Sequence, residues 1–115
     1  MKLAILAGAA ALSLLATAAT AQQASVFGNT IVMTGPDGSA TRIHFKQDGT
    51  YDFVTASGVA GGGVWAVENG QLCTTRTAPA ATPKQCRPDV ERHIGDKWDE
   101  DTPSGKVSYE LVAGQ

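Results

Sequence analysis

The chain has 115 residues, with 9 Lys and Arg against 11 Asp and Glu, for a net charge of −2 at neutral pH. That is the size of one domain. Its cationic residues are scattered along the chain, which speaks against a nucleic-acid partner, since such a face needs Lys and Arg gathered together.

Residues 1–21 open with a single charge at Lys2, continue as an uncharged apolar run from Leu3 to about Leu15, and end in the small residues Ala19, Thr20 and Ala21. This three-part layout is that of a secretory signal peptide cleaved after Ala21, so the mature chain is expected to begin at Gln22. A spanning helix needs about 20 strongly apolar residues. This run is shorter and diluted by Ala, Gly, Ser and Thr, so no membrane span is expected once the leader is removed. The expected location is the periplasm or the extracellular space. Lys2 leaves with the leader, and the mature net charge becomes about −3.

The remaining residues, 22–115, read as a single β domain. β-Branched and aromatic residues recur in short runs broken by glycine-containing turns. The first strand is expected at 29–34, followed by the turn Gly35-Pro36-Asp37-Gly38, in which proline presets one dihedral, aspartate bonds nearby backbone and glycine accepts positive φ. The second, 40–45, alternates with Ile43 and Phe45 on one face and Arg42 and His44 on the other. Asp48-Gly49 turns the chain into the third strand, 50–55, where Tyr51 and Phe53 share a face and Asp52 points to solvent. Gly61-Gly62-Gly63 reads as a flexible stretch or a bulge before a fourth strand at 64–67, with Trp65 and Val67 on one side. Asn69-Gly70 makes a tight turn into a fifth strand, 71–76. Residues 77–83, rich in Ala, Pro and Thr, read as a loop. The last strand alternates as well, with Val107, Tyr109 and Leu111 turned inward.

Short segments at roughly ten-residue spacing favour an all-β antiparallel meander of six to eight strands, curled into a small barrel or packed as a sandwich. The expected inward set is Ile31, Met33, Ile43, Phe45, Tyr51, Phe53, Trp65, Val67, Leu72, Val107, Tyr109 and Leu111. Each large side chain contributes roughly 1.5–3 kcal/mol on burial before entropy is subtracted. Such a core is thin for its chain length, and a covalent staple would help it.

Cys73 and Cys86 supply one. An exported chain with an even cysteine count is expected to oxidise them to a disulfide. The loop so closed corresponds to about 3 kcal/mol in the chain-entropy account. Structural zinc pairs cysteines at C-x₂₋₄-C and redox sites at C-x-x-C, and the twelve intervening residues here match neither.

Motifs for chemistry are missing. His44 lies on an outward strand face, and His93, near Asp89, Glu91 and Asp96, sits in a segment of mixed charge. The cluster Asp96, Asp99, Glu100 and Asp101 does not follow the order of a calcium loop and reads as a polar loop before the last strand. Gly61-Gly62-Gly63 lacks the helix and lysine of a phosphate loop, and no G-x-S-x-G is present. No metal, cofactor or catalytic residue is expected.

The runs GTYDF (49–53), GGVWAVENGQLC (62–73), a second cysteine at Cys86, HIGDKW (93–98) and YELVAGQ (109–115) resemble a set of small exported bacterial proteins. Their shared pattern is G-T-Y, G-x-W, G-x-L-C, a second cysteine and G-D-x-W. The resemblance covers most of residues 22–115 and implies a fold without implying an activity. The chain also resembles periplasmic inhibitors of bacterial metalloproteases, small eight-stranded barrels with one disulfide and an N-terminal segment that enters the protease cleft. On that resemblance Trp65 in GVWAV is the barrel tryptophan and residues 22–25 are the inhibitory segment.

The expectation is therefore a non-enzymatic exported domain that binds a small apolar ligand or an envelope protein, with protease inhibition as the alternative. A ligand would meet Phe45, Phe53 and Trp65, with Trp98 as a lid or contact residue.

Overall fold

The computed structural model describes residues 25–115. The leader, its cleavage site after Ala21 and residues 22–24 lie outside the described residues. Eight strands follow one another: β1 (Thr30–Thr34), β2 (Ala40–Phe45), β3 (Thr50–Val54), β4 (Ala60–Glu68), β5 (Gln71–Ala78), β6 (Gln85–Pro88), β7 (Lys97–Thr102) and β8 (Gly105–Val112). Every ladder is antiparallel, and the strands form one sheet in the order β6-β5-β4-β3-β2-β1-β8-β7. The all-β meander is thus realised with a single departure: after β6 the chain crosses back, and the hairpin β7–β8 is laid against β1.

Register explains which side is apolar. Ile31 opposes both Ile43 on β2 and Leu111 on β8, and Ile43 in turn opposes Phe53 on β3. Because side chains alternate along a strand, this row fixes the inner face of four strands at once. Leu111 is wholly buried and Ile31, Phe45 and Tyr109 nearly so, with Met33, Ile43, Tyr51, Trp65 and Val107 packed against them. Val26 joins this cluster from the turn before β1, and Phe27 packs against it as well. Asn29 holds that turn by accepting a hydrogen bond from the Gly114 backbone N–H, while Thr30 donates to the Gly114 carbonyl, so both chain ends of the domain are tied together.

The turns carry the chemistry expected of them. Asp37 and Asp48 each accept bonds from the backbone N–H and hydroxyl of the residue two positions on, Ser39 and Thr50. Asn69 and Gly70 both have positive φ, 51° and 74°, the pairing that closes a two-residue hairpin. Cys73 and Cys86 oppose each other directly in the β5–β6 ladder and form a disulfide.

At Gly61-Gly62-Gly63 the expected bulge is present, as a register shift between Gly62 and Gly63, and residues 60–63 belong to β4 instead of forming a flexible stretch before it. Glycine is required there by crowding. A Cβ on Gly63 would collide with the Thr75 carbonyl oxygen and sit 2.8 Å from the Arg76 Cα, and one on Gly61 would meet the Phe53 ring. Asp99, Glu100 and Asp101 of the acidic cluster likewise lie in a strand, β7, where Trp98, Glu100 and Thr102 alternate inward with Lys97, Asp99 and Asp101 outward while all six pair with β8, and Asp96 precedes it. The loop begins at Pro79, since Thr77 and Ala78 continue β5.

The end strands β6 and β7 share no ladder, yet they meet through side chains. Arg87 on β6 reaches Glu100 on β7 at 3.1 Å. Right-handed twist and coiling of an eight-stranded sheet bring its ends around, and the molecule is a half-barrel with a polar seam. β6 is short and ends in Pro88, and β7 presents charged side chains outward, both features that discourage pairing with another chain's edge.

Candidate functional site

The concave side of the sheet encloses a cavity of about 760 Å³. Its apolar wall is built by Met33, Ile43, Tyr51, Phe53, Leu72 and Val107, each an inward position of its strand. Phe53 can lie across the neighbouring strand only because Gly61 has no side chain to oppose it. Tyr51 packs on Phe45 with ring centroids 5.6 Å apart. Trp65 packs between Phe27 and Phe45, at 5.7 and 6.1 Å, and its indole N–H donates to the Lys46 carbonyl at 2.8 Å.

The rest of the lining forms a polar wall. Arg76 from β5, Arg87 from β6 and Arg92 from the 89–96 connection all line the cavity, as does Glu100. One Nη of Arg87 donates to both Glu100 carboxylate oxygens at 3.1 Å, and the Tyr109 hydroxyl donates to Glu100 at 2.9 Å. Burial, followed by the hydrogen bond to Glu100, holds the Tyr109 hydroxyl above its ordinary value, with Arg87 opposing. Trp98 is stacked on Tyr109, centroids 5.5 Å apart and planes 6° from parallel, and the Arg92 guanidinium covers the Trp98 ring 3.9 Å from its centroid. Such stacking over a tryptophan face is an attractive cation–π arrangement.

Tyr51 connects the two walls. It opposes Gly63, and Gly63 opposes Arg76, so the phenol looks across a side-chain-free position toward that arginine. Burial pushes the Tyr51 hydroxyl above its ordinary value, while the positive charges of Arg76 and Arg87 pull the other way.

The sequence-expected residues are therefore distributed. Phe45 belongs to the core and also lines the cavity, Phe53 and Trp98 line it, and Trp65, expected to meet the ligand, packs behind Phe45 instead. Cys73 and Cys86 lie on the opposite face from Leu72, Thr74 and Arg87, so the disulfide takes no part in the cavity. The polar wall was missed. Its signal was present in the alternation Leu72, Thr74, Arg76, which gives Arg76 the inward parity of Leu72.

Elsewhere, His44 and Lys46 on the convex face bond the two Asp52 oxygens at 2.8 and 3.0 Å. His93 lies near Glu91 and Asp96 and is exposed. Among the described residues no group of three or more His, Cys, Asp or Glu is placed to hold a metal ion, and no helix is long and apolar enough to cross a membrane.

No protein family, curated protein or solved structure matches the chain.

Proposed function

We propose that the protein is exported through a cleaved leader and acts as a non-enzymatic binding domain that takes a small, apolar-bodied ligand into its half-barrel. The observation that carries this reading is the cavity. Its interior is not filled by side chains, and its volume of about 760 Å³ lies within the roughly 300–1,000 Å³ of small-molecule sites. An apolar wall facing a few placed polar groups is also the usual composition of such a site. The disulfide is consistent with the oxidising compartment that the leader implies.

A neutral apolar fluorophore, N-phenyl-1-naphthylamine, tests the reading. Its emission should rise and saturate at one probe per chain, and Ile43→Trp, which narrows the cavity at the middle of its apolar lining, should weaken the rise while the thermal melt stays cooperative. Absence of any saturable rise with the wild-type chain overturns the reading.

A second reading, protease inhibition through residues 22–25, draws on the eight strands and single disulfide that the inhibitor resemblance implies. Under it, deleting residues 22–25 removes inhibition of a co-secreted metalloprotease and leaves the melt unchanged. An unchanged inhibition constant sinks it.

A further inference from the structure

The chain is acidic overall, with 11 Asp and Glu to 9 Lys and Arg, but its cavity is not. Of its four arginines, Arg42, Arg76, Arg87 and Arg92, the last three line the cavity, and no lysine does. The facing acids are Glu100, taken up by Arg87 and Tyr109, and Asp99, which alternates to the exposed side of β7. Arg92 lies over the Trp98 ring, 3.9 Å from its centroid. Arg76 spends its Nε on the Ala80 carbonyl at 3.1 Å, leaving its two terminal nitrogens for another acceptor. Arg87 Nε is out of solvent and bonded to nothing among the described residues. Three guanidinium groups in the lining of a site that is otherwise largely hydrocarbon and aromatic make a surface of divided chemistry.

We infer that the ligand is a single-chain anionic amphiphile, its hydrocarbon lying against Met33, Ile43 and Phe53 and its anionic head held by Arg76 and Arg87 beside Tyr51. This rests on the cavity reading above and names its ligand class. Guanidinium groups match the planar, two-oxygen geometry of carboxylate and phosphate alike, and bonds to a charged acceptor inside a half-enclosed site are stronger than the same bonds in water. Arg92, committed to the Trp98 face, stands at the rim, where it contributes charge and guides the head inward.

Competition against bound N-phenyl-1-naphthylamine, below the concentrations at which the competitors self-associate, tests the inference with laurate, dodecyl phosphate and dodecanol. The two anions should displace the probe about tenfold more tightly than dodecanol, and whichever anion leads identifies the head as carboxylate or phosphate. The advantage should shrink with added salt, should fall to near unity in Arg76→Met, and should be partly kept in Arg76→Lys. Cooperative thermal melts report that both variants are folded, and the anion-to-dodecanol ratio is read within each variant, so a change in its affinity for the probe cancels. Equal displacement by dodecanol and the anions, with the neutral probe still binding, overturns the inference and leaves the cavity reading intact. Failure of the probe itself removes both.

Discussion

Arg87 and Glu100 join the two free ends of an open sheet: one Nη of Arg87 bridges both oxygens of the Glu100 carboxylate at 3.1 Å, with the Tyr109 hydroxyl bonded to the same carboxylate. Both side chains are about one-third exposed, 33% and 29%, so the pair is neither a screened surface contact nor a dry one. The position of the pair matters more than its strength. β6 and β7 have no backbone ladder, and this contact helps set how far the half-barrel closes.

Glu100→Gln and Arg87→Met should each destabilise the domain, with a coupling in the double-mutant cycle of about 1 kcal/mol, at the upper end for exposed pairs. For a domain of this size that is a shift in Tm of about 4–8 °C. Strict additivity of the two single changes in denaturant melts would show that the seam is not an energetic unit.

The disulfide acts on the same seam from the other side. It ties the four-residue strand β6 to β5 at directly opposed positions. Cys73→Ser should therefore lower stability by about 3 kcal/mol and release β6 before the rest of the sheet. Hydrogen exchange would show this as early loss of protection confined to residues 85–87, with the Arg87–Glu100 coupling reduced in the same variant. Uniform loss across all eight strands would count against a local role.

Much of this fold was legible in the sequence because a period of two carries both strand and face. β2 is recovered residue for residue, and of the expected inward set Ile31, Ile43, Phe45, Tyr51, Phe53, Leu72, Tyr109 and Leu111 all line the core or the cavity. What failed were positions where composition spoke louder than alternation. At Gly61-Gly62-Gly63 the bulge was legible, but the strand it belongs to and the crowding of Phe53 and the β5 backbone that requires glycine there were not. Asp96, Asp99, Glu100 and Asp101 suggested a loop, whereas the last three lie in a strand of which every second residue turns inward. The polar lining was legible only in part: the alternation Leu72, Thr74, Arg76 turns Arg76 inward, but only the curl of the sheet brings Arg87 from β6 and Arg92 from the 89–96 connection to the same cavity. Val26 lies before the first strand and has no periodic context at all.

Gly63 gives a sharp test of that crowding. Gly63→Ala places a methyl group against the Thr75 carbonyl and the Arg76 backbone, and should cost about 1–3 kcal/mol, the range for overpacking. Gly58→Ala, where nothing lies within 4 Å of the new Cβ but φ is +88°, should cost only the backbone strain, about 1 kcal/mol. Urea midpoints distinguish the two. A Gly63→Ala chain as stable as the wild type would mean that β4 and β5 can separate freely.

The convex face carries a pH-dependent contribution. Burial works to raise the Asp52 carboxyl, but hydrogen bonds from His44 and Lys46 outweigh it, and the group ends below its ordinary value. A carboxylate lowered in the folded state binds protons less readily there than in the unfolded chain, so its stabilisation is complete above about pH 4 and is lost as pH falls through the folded value. Asp52→Asn should therefore melt lower than the wild type at neutral pH. The gap should narrow as the solution is acidified below about pH 4, where the wild-type carboxylate is itself protonated. Because Asp52 is 43% exposed, solvent screens the pair and added salt should shrink the neutral-pH gap as well. A gap that stays constant from neutral to strongly acidic solution would assign the loss to the changed side chain's packing and remove the charge from the explanation.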